Sequence, residues 1–198
     1  DAILVPKITA RKDLQPYLAA LARRPGVGLW AMIETARSLF RLDEIAGAAA
    51  DGPLTCFVVG SNDLAKEAGF ELDVDRQPLM AALSLVVLAA RAHGLAALDG
   101  VFNSLDDEAG FARQCRQGRA FGFDGKTLIH PAQIATCNDA FTPDSAAIEA
   151  ARRVISAFAL PENAGKGAIR VDGRMVERLH LVQAWRTLTM AGERLDPR

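Results

Sequence analysis

Two acidic residues stand out for where they fall. Glu34 closes the apolar run Val27 to Ile33, and Asp63 follows the run Leu54 to Val59 through Gly60-Ser61-Asn62. If both runs are parallel strands, both acids lie at C-terminal strand ends, where parallel α/β folds carry their sites. Neighbouring strands run about 4.8 Å apart, so the two carboxylates would face one pocket. Two carboxylates completed by waters and substrate oxygens form an ordinary Mg²⁺ site. Taken singly, each acid also reads as a helix-end residue, Glu34 before a 36–41 helix and Asp63 within a 61–68 helix. The pairing is what points to a metal. Gly60-Ser61-Asn62, leading to Leu64, reads as an anion site: a glycine there lets the amides of the next helix approach a small oxo acid's carboxylate. A plain tight turn explains the same tripeptide.

A second constellation is Phe121-Gly-Phe-Asp-Gly-Lys-Thr-Leu-Ile-His-Pro-Ala-Gln133. Gly122 and Gly125 bracket Asp124. Lys126 reads either as a phosphate ligand or as a solvated lysine. His130 sits just before a helix whose first residue is Pro131. Asp99 is a weaker site candidate, and Asp106 and Asp107 read as caps for a 107–117 helix. The chain has no Walker loop, GxGxxG, HExxH or serine elbow.

The elements that must position these residues follow a rhythm. Apolar runs at Ile3-Leu4-Val5, 27–33, 54–59 and 95–98, with a weaker fifth at 120–123 continuing through Leu128-Ile129, alternate with helical patterns. Leucines 14, 18 and 21 recur at helical spacing, as do Leu39, Leu42 and Ile45, then Leu79, Leu83, Val86 and Val87. Strands alternating with helices predict βα units and a parallel sheet. Continuous rather than alternating apolar runs predict that both sheet faces are covered. After Pro143 the character changes. Residues 144–160 predict a long helix capped by Asp144 or Ser145, followed by a 161–167 linker, a short extended piece at 168–172 and a last helix at 175–193.

The 198 residues carry a net charge of −1, with 50% hydrophobic and 24% charged residues. That balance excludes a disordered chain and gives no electrostatic pull toward nucleic acid or an anionic membrane. Cys56, Cys115 and Cys137 are widely spaced and odd in number, which predicts packed, reduced thiols and a cytoplasmic location. The longest apolar run, 79–92, is too short and too polar to span a bilayer.

Pro6-Lys7, Ile33-Glu34-Thr35-Ala36, Gly60-Ser61-Asn62-Asp63-Leu64 and the 122–133 segment occur in an order that resembles the citrate lyase beta subunit-like family of CoA-ester lyases. Malyl-CoA and citramalyl-CoA lyases belong to that family. The Glu-Thr and Asp-Leu motifs are shared with class II pyruvate aldolases. The resemblance implies a phosphoenolpyruvate/pyruvate-type TIM (β/α)₈ barrel, here residues 1–143 as roughly strands 4–8 with the first three absent. It implies Mg²⁺ on Glu34 and Asp63. It implies that Lys126, His130 and Pro131 help to form the CoA side of the pocket.

The resemblance further implies that residues 144–198 form an extension packing on a neighbouring subunit in a homotrimer or homohexamer. There Glu177, in Met175-Val-Glu-Arg-Leu179, stands where the family's Met-Ile-Asp-x-Pro motif has a proton-transferring Asp. The implied reaction makes or breaks a C–C bond between an acyl-CoA enolate and a small 2-oxo acid. The alternatives are a class II aldolase working without CoA and a barrel kept as a subunit or scaffold.

Overall fold

The first 140 residues build a parallel sheet whose strands lie side by side in the order in which the chain makes them. The computed structural model describes residues 1–193 and divides into two compact units, Asp1–Ala140 and the residues from Phe141 onward. In the first unit β1 (Ala2–Val5) leads through a 3₁₀ turn, Arg11–Leu14, into α1 (Gln15–Leu21). Then come β2 (Gly28–Ile33), α2 (Ala36–Leu39), α3 (Leu42–Ala46), β3 (Leu54–Val59), α4 (Ser61–Ala68) and α5 (Met80–Ala92). β4 (Ala96–Asp99), α6 (Glu108–Phe121), β5 (Gly125–Lys126) and α7 (Gln133–Phe141) follow. All four neighbouring pairings are parallel, in the order β1-β2-β3-β4-β5.

Apolar side chains from strands and helices meet between them. Leu29, Ile33, Phe57 and Val58 of the strands, with Ile45, Leu64, Leu79, Leu83 and Val86 of the helices, are almost wholly buried. The α5 leucine–valine pattern thus buries one face on the sheet, the usual reason an amphipathic helix holds in a βα unit. Cys56, Cys115 and Cys137 are free and buried, as expected of small apolar fillers. Among the described residues no helix is long and apolar enough to cross a membrane.

Three expectations need correction. The apolar run at 120–123 is not strand: α6 continues to Phe121 and closes on Gly122 at φ 94°. Phe123 N–H donates to Gly118 O at 3.1 Å and Gly122 N–H to Arg119 O at 2.9 Å, a left-handed helix ending that glycine permits. The fifth strand is only Gly125–Lys126, and Leu128-Ile129 lie outside it. Coverage of both sheet faces holds for β3 but not for β1, an edge strand whose Ile3 and Leu4 are 46% and 38% exposed.

The third correction lies in the second unit. Asp144 caps α8 (Ser145–Ala159) by accepting from Ala147 N at 2.7 Å. The expected extended piece is one arm of an antiparallel hairpin, β6 (Ala168–Val171) with β7 (Arg174–Glu177), and the last helix begins only at α9 (Arg178–Met190). Asp172-Gly173 at φ 49° and 78° makes the two-residue turn, which favours a hairpin over an earlier helix start. Ala151, Ala184 and Leu188 form this unit's core with Ile148, Val154 and Ile155.

Candidate active site

Register brings the site together. Ile33 pairs with Val59, so the next residues, Glu34 and Gly60, stand side by side beyond the strand ends. Gly60 N–H donates to Ile33 O at 2.9 Å, extending the ladder by one bond. Gly60 is a glycine because of crowding: a Cβ there would lie 2.4 Å from Glu34 Cβ and 2.7 Å from Glu34 Oε2. Its missing side chain is the space that Glu34 occupies.

Glu34 is not a helix cap. Thr35 takes that role, its Oγ1 accepting from Ser38 N at 3.1 Å while Ser38 Oγ donates to Thr35 O at 2.6 Å. The Glu34 carboxylate is therefore left to point elsewhere, although its side chain is only 4% exposed. Its Oε1 accepts from the main-chain N–H of Lys7 at 2.7 Å and lies 3.7 Å from Lys7 Nζ. Asp63, in the first turn of α4, reaches the same ammonium through Oδ2. The hydrogen bond and charge of Lys7 hold the Asp63 carboxyl below the ordinary carboxylate range, and Asp63 in turn holds Lys7 above its own. Two carboxylates from adjacent strand ends thus converge on one cation.

That convergence is the observation against which a divalent metal is tested. The donor set fits: two hard oxygen ligands facing one point are what Mg²⁺ takes when water or substrate oxygens complete its shell. Among the described residues no group of three or more His, Cys, Asp or Glu gathers at this point or at any other, so the protein ligands here are the two carboxylates.

The other expected site residues divide. Ser61 is buried against Gly100, whose hypothetical Cβ would lie 2.6 Å from Ser61 Oγ. The Asn62 side chain pairs with Asn103, receiving a bond from Asn103 Nδ2 at 2.8 Å and returning one from its Nδ2 at 3.2 Å. This ties the loop after β4 to the start of α4. Leu64 is a core residue, 1% exposed, whose N–H donates to Gly60 O at 3.1 Å. A cleft of about 270 Å³ opens beside Ser61 and Asn62, walled by Arg76, Phe102 and Asn103.

Lys126 is turned inward, against its expected place beside CoA. Its side chain is fully buried, and Nζ donates to Asp99 Oδ2 at 2.9 Å, to Gln114 Oε1 at 2.8 Å and to Gly100 O. Those three bonds use all three ammonium protons. Burial lowers its pKa below the ordinary value. Asp124 is likewise structural, accepting from Arg91 Nη2 at 2.7 Å and Ala97 N at 2.8 Å. His130 and Pro131 remain exposed ahead of α7, with His130 Nδ1 accepting from Ala132 N at 3.2 Å. Gln133 pins that loop: its Oε1 accepts from Ile129 N at 3.1 Å and its Nε2 donates to Phe102 O at 3.0 Å. Glu177, in the second unit, is exposed, and its N–H donates to His180 Nδ1 at 3.0 Å.

Sequence reasoning missed the buried charge network. Asp99, fully buried, accepts from Arg76 Nη1 at 2.7 Å as well as from Lys126 and Gly100 N. Arg76 also donates to Gln117 Oε1 through Nε and Nη2 at 3.1 and 2.7 Å. An arginine in a loop carries no spacing signal that would reveal this. Lys7 was visible only as part of a Pro-Lys dipeptide.

The comparisons with known proteins bear on this geometry. The chain is 50% identical over 191 residues to a (3S)-malyl-CoA thioesterase of Cereibacter sphaeroides, covering 96% of this chain and 65% of that protein. It is 35% identical to the mitochondrial citramalyl-CoA lyase of Mus musculus, covering 96% of this chain and 60% of the relative. It thus spans a little under two thirds of the length of these relatives. Among solved structures, CitE from Mycobacterium tuberculosis in complex with magnesium, acetoacetate and coenzyme A matches with a TM-score of 0.69 at 30% identity, over 97% of this chain and 68% of that one. The family pattern described as HpcH/HpaI aldolase/citrate lyase matches residues 1–131, the stretch that holds Lys7, Glu34, Gly60, Asp63 and the buried Asp99 network, and the chain belongs to that family.

Proposed function

We propose that this chain carries the metal-binding part of a Mg²⁺-dependent CoA-ester lyase, which makes or breaks the C–C bond between an acyl-CoA enolate and a small 2-oxo acid such as glyoxylate, pyruvate or oxaloacetate. The convergence of Glu34 and Asp63 on one cation carries the reading. Magnesium and coenzyme A in the CitE complex support it. Bound there, the metal would supply Lewis-acid polarisation of the oxo acid. The chain's own residues do the rest. Glu34 and Asp63 hold the cation, the Lys7 amide orients Glu34, and Gly60 makes room for it. The amides at the start of α4 face an anion with the favourable end of the helix dipole.

The strand order supports a barrel sector. Doubly wound sheets reverse direction at a switch point, whereas these five strands follow one another without reversal. Closure into an (β/α)₈ barrel would cover the exposed Ile3 and Leu4. The exposed Met175, Leu179 and Val182 support a second unit that docks on another subunit of a homotrimer or homohexamer, with Glu177 in trans. The three free buried thiols support a reducing, cytoplasmic setting.

A second reading is hydrolysis of the malyl-CoA thioester, favoured by the 50% identical thioesterase. One assay separates them. The lyase condenses acetyl-CoA with glyoxylate, and cleaves malyl-CoA to glyoxylate with CoA still acylated. The thioesterase releases free CoA from malyl-CoA with no glyoxylate. Glu34→Gln and Asp63→Asn each abolish Mg²⁺-dependent turnover in either case. Full activity in both variants refutes the metal assignment. Cleavage of 4-hydroxy-2-oxo acids without CoA would favour an aldolase.

A further inference from the structure

The Lys7 ammonium occupies the point on which Glu34 and Asp63 converge. The proposed function assigns that same point to a divalent cation, and this inference rests on that reading. Lys7 is held there by its backbone. Its φ of 57° lies in the left-handed region, which a non-glycine residue adopts only when the surroundings impose it. In that conformation its N–H donates to Glu34 Oε1 at 2.7 Å while its side chain runs to both carboxylates. One residue thus grips Glu34 through its amide and bridges Glu34 to Asp63 through its ammonium.

Charge sets the ammonium and the metal against each other. Two carboxylates with one ammonium carry −1, and with a divalent cation alone they are neutral. A divalent cation and the ammonium on the same oxygens repel each other at contact distance. Without any cation the two acids would repel, and Glu34 is too buried for water to screen it fully.

We infer that Lys7 is a built-in counter-ion which alternates with the divalent metal, holding the two carboxylates together in the metal-free protein and leaving them when the metal binds. The Lys7 amide stays on Glu34 in both states, so the site keeps its shape while its cation changes.

The test is Mn²⁺ binding, followed by electron paramagnetic resonance of free Mn²⁺, with thermal melts in parallel. Lys7→Met removes the ammonium and keeps the main-chain amide; Lys7→Gln is the second variant, and Glu34→Gln the control for the site. The expected result is Mn²⁺ binding about two- to fivefold tighter in both Lys7 variants, the scale of an exposed ion pair. The metal-free melting temperature falls while the rise produced by Mn²⁺ grows, as linkage requires. If Glu34→Gln abolishes Mn²⁺ binding but the Lys7 variants bind equally or more weakly, the alternation is wrong and the metal site stands. If the wild type binds no Mn²⁺, or Glu34→Gln binds it normally, the metal site itself is wrong and the inference falls with it.

Discussion

Asp99→Asn is the severest test of how this chain manages buried charge. Asp99 is wholly buried and accepts from Arg76 Nη1 at 2.7 Å, Lys126 Nζ at 2.9 Å and Gly100 N at 2.8 Å. At an effective dielectric constant of about 20, each ionic attraction is roughly 6 kcal/mol gross. Much of that offsets the cost of removing the ions from water. Neutralising Asp99 leaves Arg76 and Lys126 buried and sharing no carboxylate, a loss of about 3–5 kcal/mol. For a unit of this size that lowers the melting midpoint by roughly 10 °C. Lys126→Met works differently. It leaves Asp99 paired with Arg76 and forfeits the Lys126 bonds to Asp99 Oδ2, Gly100 O and Gln114 Oε1, about 1–2 kcal/mol because no buried charge is left unpaired. The double variant should lose less than the sum of the two singles by about 1–3 kcal/mol, because it no longer strands the Lys126 charge. Urea melts at pH 7 followed by far-ultraviolet circular dichroism give all three values. If Asp99→Asn costs no more than Lys126→Met, or if the double variant is strictly additive, the network is not organised around Asp99 and this reasoning is refuted.

The remaining predictions concern the same strand ends. Burial holds Lys126 below its ordinary value of 10.5, so the folded protein binds that proton less tightly than the unfolded chain. The stability of the wild type relative to Lys126→Met should therefore rise with pH in the alkaline range up to 10.5; a flat or falling difference in urea melts contradicts this. Gly60→Ala forces a Cβ to 2.4 Å from Glu34 Cβ. It should cost about 1–3 kcal/mol and weaken Mn²⁺ binding together with stability, whereas intact metal affinity would mean that Glu34 has another place to go. With Glu34→Gln and Asp63→Asn in turnover and Lys7→Met in Mn²⁺ titration, these variants separate the proposed metal pair, the proposed counter-ion and the scaffold.

The βα alternation was legible because it is local: short apolar runs and helical spacings each report on a few neighbouring residues. The 120–123 run misled for the same reason, since a helix end sealed by Gly122 and Phe123 has the composition of a strand. Glu34 and Asp63 were legible as a pair because both sit at strand ends in a regular pattern. Their shared cation was not, because Lys7 lies 27 residues from Glu34 and 56 from Asp63. Nothing in the chain links those positions until three parallel strands stack in register.

The amino-acid sequence by itself therefore determined the parallel βα architecture and the two acids that stand at the C-terminal ends of its strands. The tertiary structure decided what surrounds them. It assigned Gly60 to making room for Glu34 and moved Lys126 from an expected ligand surface into a buried triad with Asp99 and Arg76. It also set the Lys7 ammonium between the two carboxylates. Each of these depends on which side chains meet across strands, and close packing and desolvation settle that only once the sheet has formed.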